Sequence, residues 1–207
     1  MGRRSDHSRE ELYEMTVAAA RGIVEAHGFR ALTVRKIADA IGYSAGTLYN
    51  LFDNLDDLII RLNGGTLDEL FDRLSAIEGS GDPTLDLDRL LGAYLAYLDA
   101  HPNLWNLLFE YTRPEGQVLP KWYVDRVADI LELLEQALSP HFPEDRANEK
   151  RHAARVLWAS LHGICSLSQA GKLKVVTTQT PREMARLLVS IFLTGLETTF
   201  TPNVPGR

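Results

Sequence analysis

Apolar residues return every three to four positions along almost the whole chain, and charged or polar residues fill the intervals. That spacing gathers the apolar positions on one face of an α-helix, and no stretch shows the period-two alternation of a half-buried strand. An all-α fold is expected. Turn-forming runs interrupt the pattern at Gly28, at Gly42, and in GSGDPT, RPEGQ and SPHFPED. Between these breaks the pattern predicts nine helices. The first starts at Ser8, whose spacing to Glu11 makes a capping box, and ends near His27 with a stripe of Leu12, Met15, Ala19, Ile23 and Ala26. Two short helices share residues 33–52. A fourth is expected over 54–78, a fifth over 84–101 and a sixth over 102–111. The seventh covers 119–138, the eighth 144–171, and the ninth opens at Thr180-Pro181, with Glu183 closing a second capping box, and ends near Phe200. Gly64-Gly65 falls inside the fourth helix and has two readings: close packing against a neighbour, or a weak point where the helix bends.

The stretch TVRKIADAIGYSAGTLYNLF, residues 33–52, carries most of the functional information. Thr33 can cap the first of its helices, because its hydroxyl accepts from an otherwise unpaired helix N–H. Ile37, Ala38 and Ile41 share a face, and Ala38 is small enough for a close helix crossing. Gly42 stands where the helix must stop and the backbone turns left-handed. Ser44 can cap the second helix, which has Leu48, Leu51 and Phe52 as its apolar side. Ala45, Gly46, Thr47 and Asn50 are then left outward near its start. This is the arrangement of a helix-turn-helix, whose second helix enters the DNA major groove N-terminus first. The competing reading is a pair of amphipathic helices inside an ordinary bundle.

The segment resembles the DNA-binding domain of the tetracycline-repressor (TetR) family. The resemblance rests on Thr33, Lys36-Ile37-Ala38, Gly42, Ser44, Gly46-Thr47-Leu48-Tyr49 and Phe52, and covers roughly residues 8–60. It implies nine helices, three in an N-terminal DNA-binding domain (residues 1–53) and six in a C-terminal ligand-binding and dimerisation domain (54–207). It also implies that Arg35, Ala45, Gly46 and Thr47 face base edges, while Thr33, Tyr43, Ser44, Tyr49 and Asn50 face phosphates. Arg3 and Arg4 are candidates for an arm reaching the backbone or the minor groove. One position departs from the family pattern: Leu55 replaces the usual phosphate-contacting lysine, beside the acidic residues Asp53, Asp56 and Asp57. A second resemblance, over roughly 85–195, is to a TetR subgroup named for a Trp-His-Gly motif, matched here by Trp158 and His162-Gly163.

Net charge is −6, yet residues 1–50 balance to +1 and the rest to −7. DNA affinity depends on basic groups near the phosphates rather than on the whole chain, so the acidic body is compatible with DNA binding. The N-terminus lacks the apolar segment of a signal peptide and no apolar run approaches membrane-span length, so a cytoplasmic location and no membrane partner are expected. The single Cys165 has no cysteine partner and lies in an apolar helical run, where an inert buried thiol is expected.

In the body, aromatic residues collect on the middle helices. Tyr94, Trp105, Phe109 and His162 are the candidate effector-contacting residues, because small-molecule sites combine apolar rings with a few polar groups. The competing reading is plain core packing for the aromatics and, for His162, a core histidine bonded to an internal partner. No metal-ligand spacing accompanies it, and no cofactor or metal is expected. The last two helices carry apolar residues on more than one face, beyond what intrachain packing needs. Leu157, Leu161, Ile164, Leu188, Ile191 and Gly195 are the candidate dimer interface, with two-fold symmetry. No nucleophile, acid–base pair or phosphate loop stands out, so a non-enzymatic role is expected. The expected function is a homodimeric transcriptional repressor, released from an inverted-repeat DNA operator by a small-molecule effector. The alternative is an activator, or a repressor governed by a protein partner or by abundance.

Overall fold

The computed structural model describes residues 7–112, 115–116 and 118–200. Arg3 and Arg4 lie outside them. Ten α-helices occur among the described residues, and no strand. They are α1 (Arg9–His27), α2 (Val34–Ile41), α3 (Ala45–Tyr49), α4 (Leu55–Ser75), α5 (Pro83–Ala100), α6 (Pro102–Glu110), α7 (Lys121–Leu138), α8 (Ala147–Gln169), α9 (Leu173–Val176) and α10 (Pro181–Phe200). The count corrects the expected nine. The extra element, α9, is a single turn held down by buried Leu173, too short to show a period in the sequence. Residues 144–146, expected to open the eighth helix, form a separate 3₁₀ turn instead.

Local chemistry sets the helix starts. The Ser8 side chain accepts from Glu11 N while Glu11 accepts from Ser8 N, so the expected capping box is present. The same exchange joins Thr180 and Glu183 at the start of α10. These bonds hold the Glu11 and Glu183 carboxylates below the usual carboxylate range. At the α4–α5 turn, Asp86 accepts from Ser80 Oγ at 2.7 Å, Ser80 N at 2.8 Å and Gly81 N at 3.2 Å, which lowers its pKa in the same way.

The chain divides into two compact units: Met1–Glu69 with Leu98–Arg126, and Leu70–Tyr97 with Val127–Arg207. The core of the first gathers Ala20 and Val24 of α1, Ile37 and Ala38 of α2, Leu48 of α3, Phe52 between α3 and α4, Leu58, Ile59 and Leu62 of α4, and Leu104 and Leu107 of α6. Val24, Ile37, Leu104 and Leu107 are fully enclosed; burying each side chain stabilises by about 1.5–3 kcal/mol. The inward line of α1 is Thr16, Ala20 and Val24, one step around from the stripe expected from sequence. Thr16 can face the core because its hydroxyl donates to Leu12 O at 2.6 Å, which removes the cost of burying it unpaired. Polar ties brace the same unit. Arg21 grips Glu69 with two nitrogens, at 2.5 and 2.9 Å, and Asn103 Nδ2 donates to Glu25 O at 2.8 Å.

The second unit has two apolar clusters. One joins Leu138, Ala154, Leu157, Val189, Leu193 and Leu196, where α8 packs along α10. The other joins Leu70, Leu74 and Tyr97, with Tyr94, Ile130 and Leu133 against it. Among the described residues no helix is long and apolar enough to cross a membrane.

Candidate functional site

The α2–turn–α3 unit is built as its residues require. Lys36 N donates to Thr33 Oγ1 at 3.2 Å, so Thr33 caps α2 as expected. Gly42 ends the helix in the left-handed region, at φ 74° and ψ 26°, where a side chain would be strained. Tyr43 N then returns to Ala38 O at 3.0 Å, closing the turn. Ile37, Ala38 and Leu48 point into the core, which fixes the crossing of α2 and α3.

That crossing leaves the start of α3 outward. Ala45, Gly46 and Asn50 are exposed, Thr47 is half-buried and Tyr49 is 59% exposed. Arg35, on α2, has 91% of its side chain exposed and only a long 3.9 Å approach to Asp39. Ser44 occupies the N-cap position of α3 without making a side-chain cap, contrary to the sequence expectation. Its hydroxyl instead lies 3.1 Å from Thr47 Oγ1. Two hydroxyls and an exposed phenol therefore share one surface with the outward small residues, a set suited to phosphate oxygens and groove edges.

Leu55 is half-buried against the core of its unit. It therefore serves packing. The acidic residues beside it are engaged internally. Tyr111 Oη donates to Asp56, and burial together with that bond raises the phenol pKa. Asp57 pairs with Arg61 at 3.3 Å, and Arg61 also lies over the Tyr13 ring.

Sequence reasoning missed one neighbour of this surface. His7 Nδ1 lies 2.7 Å from Tyr43 Oη, at the start of α1. Nothing in the local pattern marks an isolated histidine 36 residues upstream; only the fold brings the two together.

The candidate effector residues fall in different places. Trp105 and Phe109, on α6 in the first unit, pack at 4.9 Å with rings tilted by 49°. Trp105 is only 2% exposed, a core position. In the second unit Tyr94 leans on the Leu70–Leu74–Tyr97 cluster. His162 is stacked on Trp158 at 5.3 Å, with the planes 17° apart. Burial pushes the His162 imidazole below its ordinary pKa. Two further polar groups were not anticipated. Asn63, 5% exposed on α4, and Asn106 on α6 each bury an Oδ1 with no hydrogen-bond partner among the described residues. The sequence signal for Asn63 is a polar residue directly after the largely apolar Leu58–Leu62 stretch. Gly64 approaches Trp122 so closely that a Cβ would sit 2.6 Å from the ring, which favours close packing there, whereas Gly65 faces open space.

The candidate interface residues also need sorting. Leu157 is completely enclosed by its own chain, so it has no surface to give a partner. Leu161 and Leu188 are partly buried against the same cluster, and Ile164 is half-buried. The outward face of α8 is instead Val156, Ala159, Gly163 and Leu167, and that of α10 is Leu187, Ile191, Gly195 and Thr198. Val156 is 57%, Leu187 51% and Ile191 63% exposed, so these two helices leave an apolar face uncovered in the single chain. Helical spacing explains the misassignment of Leu157. Positions one apart are 100° around the helix, and the sequence alone does not say which of two apolar faces turns inward.

Residues 87–192, half of the chain, match the family model described as the tetracyclin repressor-like C-terminal domain. Residues 17–62 match the model for bacterial regulatory proteins of the tetR family. The HTH-type transcriptional repressor KstR2 of Rhodococcus jostii is 39% identical over 74 residues, 35% of this chain and 36% of that protein. KstR2 of Mycobacterium tuberculosis is 36% identical over 93 residues, covering 44% and 43%. The chain thus spans about two fifths of the length of these curated relatives. Among solved structures, a protein of unknown function from Rhodococcus sp. RHA1 superposes with a TM-score of 0.71 at 21% identity, covering 94% of this chain and 98% of that one. That likeness shows the fold. The first model spans the Trp158, His162 and Gly163 positions and the second spans the α2–turn–α3 unit, and on these matches the chain belongs to the tetracycline-repressor (TetR) family.

Proposed function

We propose that this chain is a transcriptional repressor that works as a homodimer in the cytoplasm. Two copies of α3 enter successive major grooves of an inverted-repeat operator, about 34–36 Å apart. Residues 1–53 read the DNA and residues 54–207 pair the subunits and take a small-molecule effector. The observation that carries this reading is the outward start of α3, held by the Gly42 turn and flanked by Arg35, Ser44, Thr47 and Tyr49. The likeness to KstR2, an HTH-type transcriptional repressor, supports it.

Pairing follows from the uncovered faces of α8 and α10. Val156, Leu167, Leu187 and Ile191 supply apolar area, while Gly163 and Gly195, both with open space around the Cα, let a second pair of helices approach closely. The candidate effector contacts are Trp105 and Phe109 in the first unit and, taken separately, Tyr94 and His162 in the second. The acceptors of Asn63 and Asn106 add the polar groups that fix a ligand's orientation, because a buried carbonyl oxygen without a donor is costly until one arrives. The effector releases DNA by binding better to the conformation in which the two α3 helices are wrongly spaced. A coupling of about 1–3 kcal/mol is typical of such devices.

Selection of bound duplexes from a randomised DNA pool tests the reading. The expected product is an inverted repeat whose half-site centres lie about 10 base pairs, or a multiple, apart. Recovery of no enriched duplex, or of one with a single half-site, would refute it.

A further inference from the structure

The beginning of α1 is tied to both ends of the recognition helix. His7 Nδ1 meets Tyr43 Oη at 2.7 Å, just before α3, with the two rings edge to face at 6.0 Å and 63°. Arg9 Nη2 donates to Asn50 O at 3.4 Å, just after α3. Tyr13 stacks on Phe52 at 5.2 Å. His7 is exposed, and so is its bond to Tyr43.

That bond restricts what Tyr43 can offer to DNA. A phenol carries one proton. If it donates that proton to Nδ1, none remains for a phosphate oxygen. If it donates to phosphate, Nδ1 must itself carry a hydrogen and donate into the phenol oxygen. A neutral imidazole meets this condition in only one of its two tautomers. An imidazolium meets it always, and adds a positive charge beside the phosphate.

We propose that His7 is a positioning residue for DNA, orienting the Tyr43 hydroxyl toward a phosphate, and that operator binding is thereby coupled to uptake of a proton by His7. The inference rests on the reading of Tyr43 as a phosphate contact. Among the described residues, the other groups facing His7 are few. Tyr43 faces it from the α2–α3 turn. Glu11 lies nearby in the first turn of α1, engaged in the Ser8 capping box, and Arg9 is turned toward Asn50. A phosphate brought beside it favours the imidazolium. The sign follows: the DNA-bound protein holds more protons than the free one, so affinity falls as pH rises through the interval where imidazoles titrate.

The test uses the full-length protein and a duplex recovered by selection from a randomised pool. Dissociation constants are measured by fluorescence anisotropy at about pH 6, 7 and 8 and fixed ionic strength. Wild type, His7→Gln and Tyr43→Phe are compared, with thermal melts to verify folding. The His7 Cε1–H resonance is followed by NMR with and without DNA. Wild-type affinity should fall by up to about tenfold per half-site over this range if binding raises the His7 pKa by one unit. His7→Gln keeps an N–H donor but cannot titrate, and Tyr43→Phe removes the relay; both should lose most of the pH dependence. The NMR titration of His7 should move upward on DNA. A His7→Gln protein with the wild-type pH slope overturns the proposal. So does a Tyr43→Phe protein that keeps the slope, because His7 would then meet phosphate without the tyrosine. Failure to recover any duplex would defeat the DNA-binding reading beneath it, whereas tight binding independent of pH defeats this inference alone.

Discussion

The paired glycines of α4 offer a direct test of the packing, because adjacent residues of the same type meet opposite surroundings. Alanine is favoured over glycine in a helix interior by about 1 kcal/mol. At Gly65 a Cβ meets nothing within 4 Å, so Gly65→Ala should collect that gain. At Gly64 a Cβ would lie 2.6 Å from Trp122 Cζ3 and 2.9 Å from Cη2, well inside contact distance. The indole must therefore move. Its freedom is limited, because the ring packs edge to face on Tyr123 at 5.7 Å and Tyr123 is buried. Overpacking of this kind costs about 1–3 kcal/mol, more than the helical gain. Gly64→Ala should then be destabilising by up to about 2 kcal/mol, and the two variants should differ in the opposite sense from the wild type. In a chain of this size 1 kcal/mol moves the melting temperature by about 2–4 °C. Calorimetry should show Gly65→Ala melting above wild type and Gly64→Ala below it. Tryptophan emission, referenced to Trp122→Phe, should shift only for Gly64→Ala. Equal stabilisation by both variants, with unaltered emission, would refute the close approach and return the pair to the status of a simple weak point in the helix.

Three other substitutions separate the remaining roles. Arg35→Ala should cost about 1–3 kcal/mol on a selected operator and much less on a scrambled duplex if the guanidinium reads a base edge, whereas Tyr49→Phe should weaken both duplexes alike; gel-shift series on the two duplexes distinguish them. Ile191→Arg should leave the monomer folded but abolish dimers in sedimentation, because this side chain is 63% exposed, while Leu157→Arg should unfold the chain by burying an unpaired charge. For His162, burial lowers the folded pKa, so between the ordinary imidazole value of about 6.5 and that lower value the unfolded state holds more protons and stability falls with falling pH. His162→Phe should remove this loss between thermal melts at about pH 7.5 and 5.5, and a persisting loss would place the titrating group elsewhere.

The DNA-facing part was legible in the sequence because its information is local. A cap, a left-handed glycine and a small residue at the crossing each act within a few positions, and Thr33, Gly42 and Ala38 behave as their chemistry demands. The exception is Ser44, where the hydroxyl of Thr47 competes for the cap's side chain. What the sequence did not reveal is that the core of this part is completed from outside it. Leu104 and Leu107 complete it from α6, and Asn103 ties the start of that helix to Glu25. Residues so distant in the chain leave no mark in a local pattern.

The proposed effector response has a short structural route. Trp105, Asn106 and Phe109 lie on the very helix whose Leu104 and Leu107 close the core around Ile37 and Leu48. A helix of nine residues is too short to move one side without the other. If a ligand rearranges Trp105 or gives Asn106 its missing donor, α6 shifts as a rigid piece, and the packing beneath α2 and α3 must adjust because tightly packed interiors do not absorb strain smoothly. Sequence alone assigned α6 to the effector-binding domain and the helix-turn-helix to another. In the fold the two share one hydrophobic core, so the proposed effector response needs no relay beyond the opposite faces of a single helix.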